Sequence, residues 1–530
     1  MHINTLLAAQ TLYHGLSHGH WNLGSLPAVD LGYEVHQASA FSDPGFYNFS
    51  NIRYARPPIQ DLRFRAPQPP QVDRSVIQDG SRGLACLQAI PGWATSPSTA
   101  AFKSLDQGED CLFLNVFVPK GVFNETSRAP GVPVVVWLHG GGNVYGSKDY
   151  QTDPYGLMLR AQEHYTNGII FVAMNYRLGA FGWLAGPTFQ TDGTANAGLH
   201  DQRMAFEWVR KYIHLFGGDK DRVTALGYSA GAGSIVHHLT AYGGRSTTPF
   251  QQAISQSPVW IPLPSSNLQE VSFQAYLNAA NVSSLGQLRS LPSQALMQAN
   301  TALVSRSTHR QFTFGPAVDG DYVTQDPKQL LIHGQFDHSV RLLASHASNE
   351  GKNFGPPNVT SDADYNHFIR DFYPSADDKA LEHIRTTLYP PVSNTSIYRN
   401  NSERAALTIS DSILDCNVAT LSSAYSDRGY EYLFAIPPGV HQQDLPYTFY
   451  HQGSNASAVV ANSTVARAIQ EYLISFAYSE KPTTSLANAP DFNLYGASAV
   501  ILSLDNNGIA QTKDPAANQQ CDWWKLVLLS

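Results

Sequence analysis

A serine in the middle of the chain lies between two glycines in the sequence Gly227-Tyr228-Ser229-Ala230-Gly231. A Gly-x-Ser-x-Gly pattern is typical of a sharp strand-to-helix turn that exposes the serine hydroxyl as a nucleophile. Such a turn needs glycine because its backbone is strained and the flanking elements nearly touch. The N-terminus of the following helix then favours negative charge that develops beside the serine. The pentapeptide alone also fits a tight turn without chemistry, so its context must decide.

Three consecutive glycines follow a predicted strand at His139-Gly140-Gly141-Gly142. Backbone N–H groups without side chains beside them can point at a substrate oxygen, and each such donor contributes roughly a few kcal/mol to stabilising an oxyanion. We expect the donors to be Gly141 and Gly142, joined by Ala230 from the serine turn. A flexible glycine turn is the alternative, but two such motifs in this order favour acyl transfer.

A serine nucleophile needs a base, and the base needs an acid that orients it. Composition does not show which of the nineteen histidines is the base, nor which of the forty-two acidic residues orients it. Position narrows the choice, because the fold that carries this serine turn places nucleophile, acid and histidine in that order, each on a loop after a strand. Glu350 and His441 both follow predicted strands. Taken alone, each of these two residues would be expected to have an ordinary surface role. Their order along the chain after the serine, however, predicts a triad of Ser229, Glu350 and His441.

The elements around these motifs alternate between strand-like and helix-like segments. Apolar runs predict strands, and the four-residue spacing of Met204, Trp208, Tyr212 and Phe216 predicts a helix. This alternation is expected of a largely parallel sheet covered by helices. We therefore predict the α/β-hydrolase fold, an α/β architecture with a large, mostly parallel central sheet flanked by helices. The predicted strands are 133–138, 169–175, 223–226, 341–344 and 430–436, and the predicted helices are 201–216 and 232–242.

An ordered series of motifs resembles the type-B carboxylesterase and lipase family, which includes cholinesterases. The resemblance covers most of the chain, its motifs are highly specific, and its character is closest to fungal members. The motifs are Arg56-Pro57-Pro58, Arg63-Phe64, Pro67, Glu109-Asp110-Cys111-Leu112-Phe113-Leu114-Asn115, Asn175-Tyr176-Arg177-Leu178-Gly179-Ala180-Phe181-Gly182, Phe216-Gly217-Gly218-Asp219, Val318-Asp319-Gly320, Asn349-Glu350-Gly351 and His441-Gln442-Gln443-Asp444-Leu445.

The resemblance implies hydrolysis of carboxylic esters through an acyl-enzyme. Ser229 would attack the carbonyl of a small-molecule ester, His441 would accept and return the proton, and Glu350 would orient the imidazole. No metal and no organic cofactor is implied.

The resemblance also assigns the cysteines and some charged residues. It implies disulfides between Cys86 and Cys111 and between Cys416 and Cys521. It further implies two ion pairs that we interpret as scaffold, Arg63 with Glu109 and Arg177 with Asp201.

Departures from the family pattern concern the substrate. Tyr228 precedes the nucleophile where cholinesterases carry a glutamate for a cationic substrate, so we expect no choline specificity. Asn143 follows the glycines where the family often has an aromatic residue, which predicts a different acyl pocket. Trp93 is a candidate to line the gorge, with plain packing as the alternative. Residues 1–54 resemble the family least, and residues 55–530 are predicted to form a single hydrolase domain.

Alternatives within the same fold remain open. A biosynthetic esterase or a transacylase acting on a natural-product ester would have the same motifs, because excluding water depends on pocket shape. A lipase would use the loop between Cys86 and Cys111 as a lid. A non-catalytic adhesion or scaffold member would usually lack the serine or the histidine, and both are present here.

The composition excludes several other classes of protein. The 530 residues carry a net charge of −8 with a pI near 6.2 and no cluster of Lys or Arg. Nucleic-acid binding is therefore not expected. No apolar run approaches the roughly 18 residues that span a bilayer. The oligomeric state is left open.

Cysteines and glycosylation sequons favour the secretory pathway. Four cysteines allow two disulfides, whereas the N-terminus is a poor match to a signal peptide and leaves the leader unclear. We expect a secreted protein. The candidate glycosylation sites are Asn48, Asn124, Asn281, Asn358, Asn394, Asn400, Asn455 and Asn462.

Overall fold

A ten-stranded sheet forms the centre of the molecule, with a four-stranded and a two-stranded sheet beside it. The computed structural model describes residues 21–23, 26–39, 45–94, 102–125, 130–150, 153–261, 265–307 and 312–527. The strands are β1 Trp21–Leu23, β2 Leu26–Asp30, β3 Val35–Gln37, β4 Phe46–Arg53, β5 Ile77–Gln78, β6 Ala85–Cys86, β7 Gln107–Gly108, β8 Phe113–Pro119, β9 Val132–Leu138, β10 Ile170–Met174, β11 Gly218–Tyr228, β12 Gln252–Gln256, β13 Arg341–Ala347, β14 Gly429–Phe434, β15 Val500–Asp505 and β16 Gly508–Lys513.

Helices cover the sheet and fill the connections between its strands. The α-helices are α1 Lys120–Asn124, α2 Tyr155–His164, α3 Ala180–Trp183, α4 Ala197–Tyr212, α5 Ala230–Leu239, α6 Ser266–Ala279, α7 Leu285–Ser290, α8 Ser293–Val304, α9 Pro327–Ile332, α10 Asp362–Phe372, α11 Asp378–His383, α12 Asn401–Ser410, α13 Cys416–Ala424, α14 Leu445–Thr448, α15 Ser463–Ser479 and α16 Gln519–Leu526. Short 3₁₀ segments are Gln60–Leu62, Phe102–Ser104, Phe189–Thr191, Ile213–Phe216, Ala241–Gly244, Glu350–Phe354 and Asn455–Val459, and π turns are Ile384–Leu388 and Asp411–Asp415.

The strand order of the large sheet is β16-β15-β14-β13-β12-β11-β9-β10-β8-β4. The strands from β15 to β10 pair in parallel, whereas the pairs β16–β15, β10–β8 and β8–β4 are antiparallel. The predicted large, mostly parallel sheet flanked by helices is confirmed. The carboxyl ends of β11, β13 and β14 lie at the same edge, because parallel strands point in one direction.

Side-chain alternation along the central strands builds two cores, one on each face of the sheet. Along β9, Val134, Val136 and Leu138 pack into one apolar cluster, whereas Val135 and Trp137 pack into the other. Both sets are almost fully buried, as expected where a parallel sheet is covered on both faces. A buried central sheet of this kind holds the loops at its edge in fixed positions.

Some strands are longer in the structure than the sequence predicts, because they continue through polar residues. Strand β13 continues past the predicted end at 344. The prediction ended there because Ser345 and His346 are polar, but both are buried within the strand. Strand β11 begins at Gly218, before the apolar part at 223–226. Strand β4 lies in the predicted N-terminal segment and pairs with β8. The division of the chain at residue 55 stays a prediction.

The covalent and ionic pairs that the resemblance implies are present. Disulfides join Cys86 to Cys111 and Cys416 to Cys521. Two buried bidentate ion pairs, each with 2.7 Å bonds, join Arg63 to Glu109 and Arg177 to Asp201. Over the described residues, no helix combines the length and apolar character that crossing a bilayer requires.

Candidate active site

Ser229 lies at the turn between β11 and α5 with φ at +55° and ψ at −123°. A non-glycine residue in this region is strained, and the surrounding structure must hold it there. Two close approaches explain the flanking glycines. A Cβ on Gly227 would come 2.7 Å from the carbonyl carbon of Gly231, and one on Gly231 would come 2.2 Å from the carbonyl oxygen of Leu138. The turn therefore fits the predicted strand–serine–helix motif.

A chain of hydrogen bonds links the three residues predicted to form the triad. His441 Nε2 lies 3.0 Å from Ser229 Oγ, and His441 Nδ1 lies 2.6 Å from Glu350 Oε2. Because a carboxylate only accepts, Nδ1–H donates to Glu350 and Nε2 is left to accept from the serine hydroxyl. Glu350 follows β13 and His441 follows β14, so neighbouring strands deliver both side chains to the serine turn.

Glu350 is fully buried, and its carboxylate accepts the hydrogen bond from His441. The N–H of Ala347 donates to Glu350 Oε1 at 2.6 Å. Burial by itself raises the pKa of Glu350, but His441, the Ser257 hydroxyl and a backbone N–H together bring that pKa below its ordinary value. The carboxylate is therefore ionised at neutral pH and can stabilise an imidazolium beside it.

The glycine loop after β9 places backbone N–H groups beside Ser229. Gly141 has φ of +110° and Gly142 has φ of +59°, which favour glycine. A Cβ on Gly141 would lie 1.8 Å from the carbonyl oxygen of Tyr145. Among the described residues, the N–H groups of Gly141, Gly142 and Ala230 have no hydrogen-bond acceptor. They are therefore available to an oxyanion.

His139 supports this loop and is not suited to act as a base. Its Nδ1 bonds the carbonyl of Gly140 at 2.8 Å, and its ring stacks on Tyr176 at 4.4 Å. Tyr176 in turn donates to the carbonyl of His139 at 2.7 Å. Burial lowers the pKa of His139 to about 4. The ring is therefore neutral and packs beneath the glycine loop.

A small cavity of about 80 Å³ opens over Ser229. Its volume is well below the roughly 300–1,000 Å³ of pockets for drug-sized ligands. Trp93 lines it and packs edge-on against Phe312 at 5.3 Å, so the gorge interpretation of Trp93 is the one that the geometry supports. Asn143, in contrast, is absent from its lining. The other aromatic residues of the lining are Phe102, Trp137, Tyr145, Tyr150, Tyr228 and Phe354.

Asp444 belongs to the motif His441-Gln442-Gln443-Asp444-Leu445, which by itself predicts no role for this residue. This carboxylate is fully buried, and neither of its oxygens has a hydrogen-bond partner among the described residues. Burial, followed by the charge of Glu350, raises the pKa of Asp444 to about 7. Tyr228 also has a buried, unpartnered hydroxyl there, and its ring lies 5.1 Å from that of His441. The only sequence signal for Asp444 was its spacing of three residues after His441.

The candidate glycosylation sites differ in exposure. Asn462 is half-buried and caps α15, and Asn48 lies in β4 with its Oδ1 buried. The side chain of Asn455 is not among those that the structure describes. The exposed candidates are Asn124, Asn281, Asn358, Asn394 and Asn400.

A family model described as "Carboxylesterase family" matches residues 32–524. The chain belongs to the carboxylesterase family. It is 38% identical to carboxylesterase patB of Penicillium expansum over 95% of this chain and 96% of that protein. It is 29% identical to a secreted lipase of Arthroderma benhamiae over 89% of this chain and 93% of that protein. The crystal structure of Aspergillus niger EstA superposes with a TM-score of 0.82 at 29% identity, covering 94% of this chain and 98% of that one.

These findings confirm the fold and the reaction class that the sequence predicted. This carboxylesterase is a serine carboxylic ester hydrolase that acts on small-molecule esters. The comparisons do not assign a role to any individual residue, so the roles of Ser229, Glu350 and His441 rest on the geometry given above.

Proposed function

We propose that Ser229, His441 and Glu350 hydrolyse a carboxylic ester through an acyl-enzyme. The observation that carries the proposal is the continuous hydrogen-bond chain from Glu350 through His441 to Ser229, with distances of 2.6 and 3.0 Å. It lies beside three N–H groups that have no acceptor among the described residues. Nucleophile and base are thus within reach of each other, and the base is oriented by a third group.

In the first half-reaction, Ser229 Oγ attacks the ester carbonyl while His441 Nε2 takes the hydroxyl proton. Glu350 stabilises the imidazolium that forms. The tetrahedral oxyanion lies against the N–H groups of Gly141, Gly142 and Ala230. Collapse of this intermediate breaks the ester C–O bond, and His441 returns its proton to the leaving alcohol. An acyl-Ser229 ester remains.

In the second half-reaction, His441 deprotonates a water molecule that attacks the acyl-Ser229 carbonyl. The same N–H groups stabilise the second oxyanion. The acid leaves, and the proton returns from His441 to Ser229 Oγ. The two half-reactions together consume one ester and one water, release one alcohol and one acid, and restore the free enzyme.

We propose an uncharged ester with a short acyl group as the substrate. The cavity is small and largely aromatic, and Tyr228 precedes the nucleophile without a carboxylate that would hold a cation. A natural-product ester is the second candidate, because the same catalytic residues and oxyanion donors would hydrolyse it. Long-chain glycerides fit the cavity less well.

We also propose secretion into an oxidising compartment, with glycans on exposed sequon asparagines. Two disulfides lie among the described residues, and such bonds persist mainly outside the cytosol. A relative of this carboxylesterase is named a secreted lipase. Treatment of the protein from culture medium with an N-glycosidase should increase its mobility in gel electrophoresis.

Hydrolysis of p-nitrophenyl esters from acetate to palmitate tests the proposed reaction. We expect highest kcat/KM with acetate or butyrate, and Ser229→Ala should lower kcat by about 10⁴-fold or more. Ser290→Ala is the matched control, because the residue is exposed and, within the described part of the chain, its hydroxyl donates only to the carbonyl of Gly286 in its own helix. Full activity of folded Ser229→Ala would overturn the assignment.

A fluorophosphonate probe separates a narrow natural-product substrate from a wrong site. Labelling of Ser229 without hydrolysis of any p-nitrophenyl ester would favour the natural-product esterase or a transacylase. Adding an alcohol acceptor would then distinguish these two, since a transacylase releases a new ester and a hydrolase releases the acid. Absence of labelling from folded protein would contradict the triad.

A further inference from the structure

A second cluster of titratable side chains lies inside the fold, between the ends of β13 and β14 and the residue after β16. His346, Glu431 and Asp514 are each at most 2% exposed. Both ring nitrogens of His346 and both carboxylate oxygens of Glu431 lack a hydrogen-bond partner among the described residues, as does the buried Oδ1 of Asp415. Buried polar atoms of this kind are rare in proteins, because each forfeits its bonds to water.

The three side chains converge with the spacing of ligands around one ion. His346 Nε2 lies 3.3 Å from Glu431 Oε1 and 3.6 Å from Asp514 Oδ1, and the three ligand atoms lie within 4.8 Å of one another. Ligand atoms about 2.1 Å from a tetrahedral zinc ion lie about 3.4 Å apart. The two nitrogen–oxygen separations are therefore close to those between ligands of a tetrahedral zinc ion.

The opposite edge of the imidazole faces a further carboxylate. His346 Nδ1 lies 3.5 Å from Asp415 Oδ1. Histidines that ligate a metal almost always direct their other nitrogen at a carboxylate, carbonyl or water, which fixes the tautomer and leaves the free nitrogen to the ion. Asp415 is in this position.

Hydrogen bonds from outside the cluster hold the carboxylates in place. Tyr495 donates to Asp514 Oδ2 at 2.8 Å, and the N–H of Ala516 donates to Asp514 Oδ1 at 2.8 Å. Ser410 donates to Asp415 Oδ2 at 2.8 Å. The site is therefore built before any ligand binds.

The alternative is a protonated His346 surrounded by carboxylates. Charge-assisted hydrogen bonds between imidazolium and carboxylate are about 2.7–2.9 Å long, and the His441–Glu350 pair of this protein is 2.6 Å long. The separations around His346 are 3.3 to 3.6 Å and include no hydrogen bond of ordinary geometry. Moreover, Glu431 and Asp514 are both almost fully buried, and one imidazolium balances the charge of only one of them, whereas a divalent cation balances both.

We propose that His346, Glu431 and Asp514 bind one divalent transition-metal ion, with Zn²⁺ the best match to one nitrogen and two oxygen ligands. We assign the ion a structural role, because no step of the reaction proposed at Ser229 uses a metal. It joins the end of β13 to β14 and to the C-terminal segment. Glu350 lies four residues after His346, so the bound ion also anchors the loop that carries the acid.

Metal retention and thermal unfolding of the full-length protein test the proposal. The protein is stripped with EDTA, incubated with ZnCl₂, desalted and analysed for zinc by mass spectrometry. We expect about one zinc ion per chain and a rise in Tm of about 2 °C or more over the stripped protein. Ca²⁺ and Mg²⁺ should raise Tm less, because neither favours an imidazole ligand.

Glu431→Gln keeps the shape of the side chain but removes a ligand charge. We expect it to lose both the retained zinc and the zinc-dependent rise in Tm. Without zinc its Tm should equal or exceed that of the stripped wild type, because a buried charge is gone. Asp514→Asn is the second variant, should one of them fold poorly, and activity on p-nitrophenyl acetate reports folding.

His333→Ala is the control for zinc bound by surface histidines, since His333 is exposed. It should retain zinc and its effect on Tm like the wild type. Identical Tm values and no retained zinc in the wild type would overturn the proposal. Equal retention by folded Glu431→Gln and Asp514→Asn would also overturn it, because the zinc would then lie elsewhere.

Discussion

Asn349 connects the loop of Glu350 to the loop of His441. Its side-chain amide donates to the carbonyl of Pro438 at 2.9 Å, and its backbone N–H donates to the carbonyl of Gly439 at 2.7 Å. These loops follow different strands and have no covalent connection nearby. The bonds therefore hold the distance between the proposed acid and the proposed base.

Asn349→Ala should lower kcat roughly tenfold with little change in KM or Tm. It removes the side-chain bond but leaves the backbone bond, so the imidazole loses part of its alignment, to which catalysis is sensitive. Steady-state kinetics and thermal unfolding measure both effects. Asn401→Ala is the control, because the half-buried Asn401 side chain donates to the carbonyl of Thr360 at 3.4 Å and accepts from Arg404 at 3.1 Å, and neither partner belongs to the triad. Unchanged kcat in Asn349→Ala would contradict this role.

Glu350→Gln should lower kcat by about 10³- to 10⁴-fold while the protein stays folded. The amide keeps the volume of the buried side chain but no longer enforces the tautomer in which Nε2 of His441 accepts a proton. Steady-state hydrolysis of p-nitrophenyl acetate tests this, with the exposed Glu480→Gln as control. Retention of more than about a tenth of the activity would exclude Glu350 as the orienting acid.

Gly141→Ala should lower kcat by about 10²- to 10³-fold, the effect of losing one oxyanion donor. The added Cβ would meet the carbonyl of Tyr145 at 1.8 Å, so the loop must move. Gly320→Ala separates this effect from backbone strain, because Gly320 also has positive φ but open space around it. Equal kcat values for the two variants would contradict the predicted role of the loop.

Asp444→Asn should stabilise the protein increasingly as the pH rises from about 4 to about 7. The folded pKa of Asp444 is raised to about 7, so stability is present while the group is protonated and is lost as pH rises through that value. Asparagine stays neutral throughout. Tm measured from pH 4 to pH 8 tests the prediction against the exposed control Asp522→Asn. A stabilisation independent of pH would show that Asp444 does not titrate in this range.

Removing the disulfides should destabilise the protein according to loop length. The Cys86–Cys111 loop spans 25 residues and the Cys416–Cys521 loop spans 105. A chain-entropy model gives about 3.5 kcal/mol for the shorter loop and about 4.8 kcal/mol for the longer one. Denaturant unfolding of the two double Cys→Ser variants measures the difference, and the reverse order would contradict the model for this chain.

The local parts of the candidate site could be predicted from sequence. The serine turn, the glycine loop and their order depend on short segments, where glycine is required by positive φ or by a close backbone approach, as at Gly141 and Gly231. The order of Glu350 and His441 after their strands came from the fold that these motifs imply. The predicted ends of the strands were less accurate. A polar residue such as His346 is expected at the surface, yet it is buried within β13.

The sequence by itself determined the reaction class, the fold and the residues proposed for the triad, since each depends on a local motif or on motif order. Only the tertiary structure decided that the Asp444 carboxylate is buried with no hydrogen-bond partner in the described part of the chain, and that Asn349 joins two loops. It alone brought His346 to Glu431 and Asp514. These partners are separated by 83 to 168 residues along the chain, and what makes them neighbours is the pairing of strands in the sheet, together with burial that removes water from their charges.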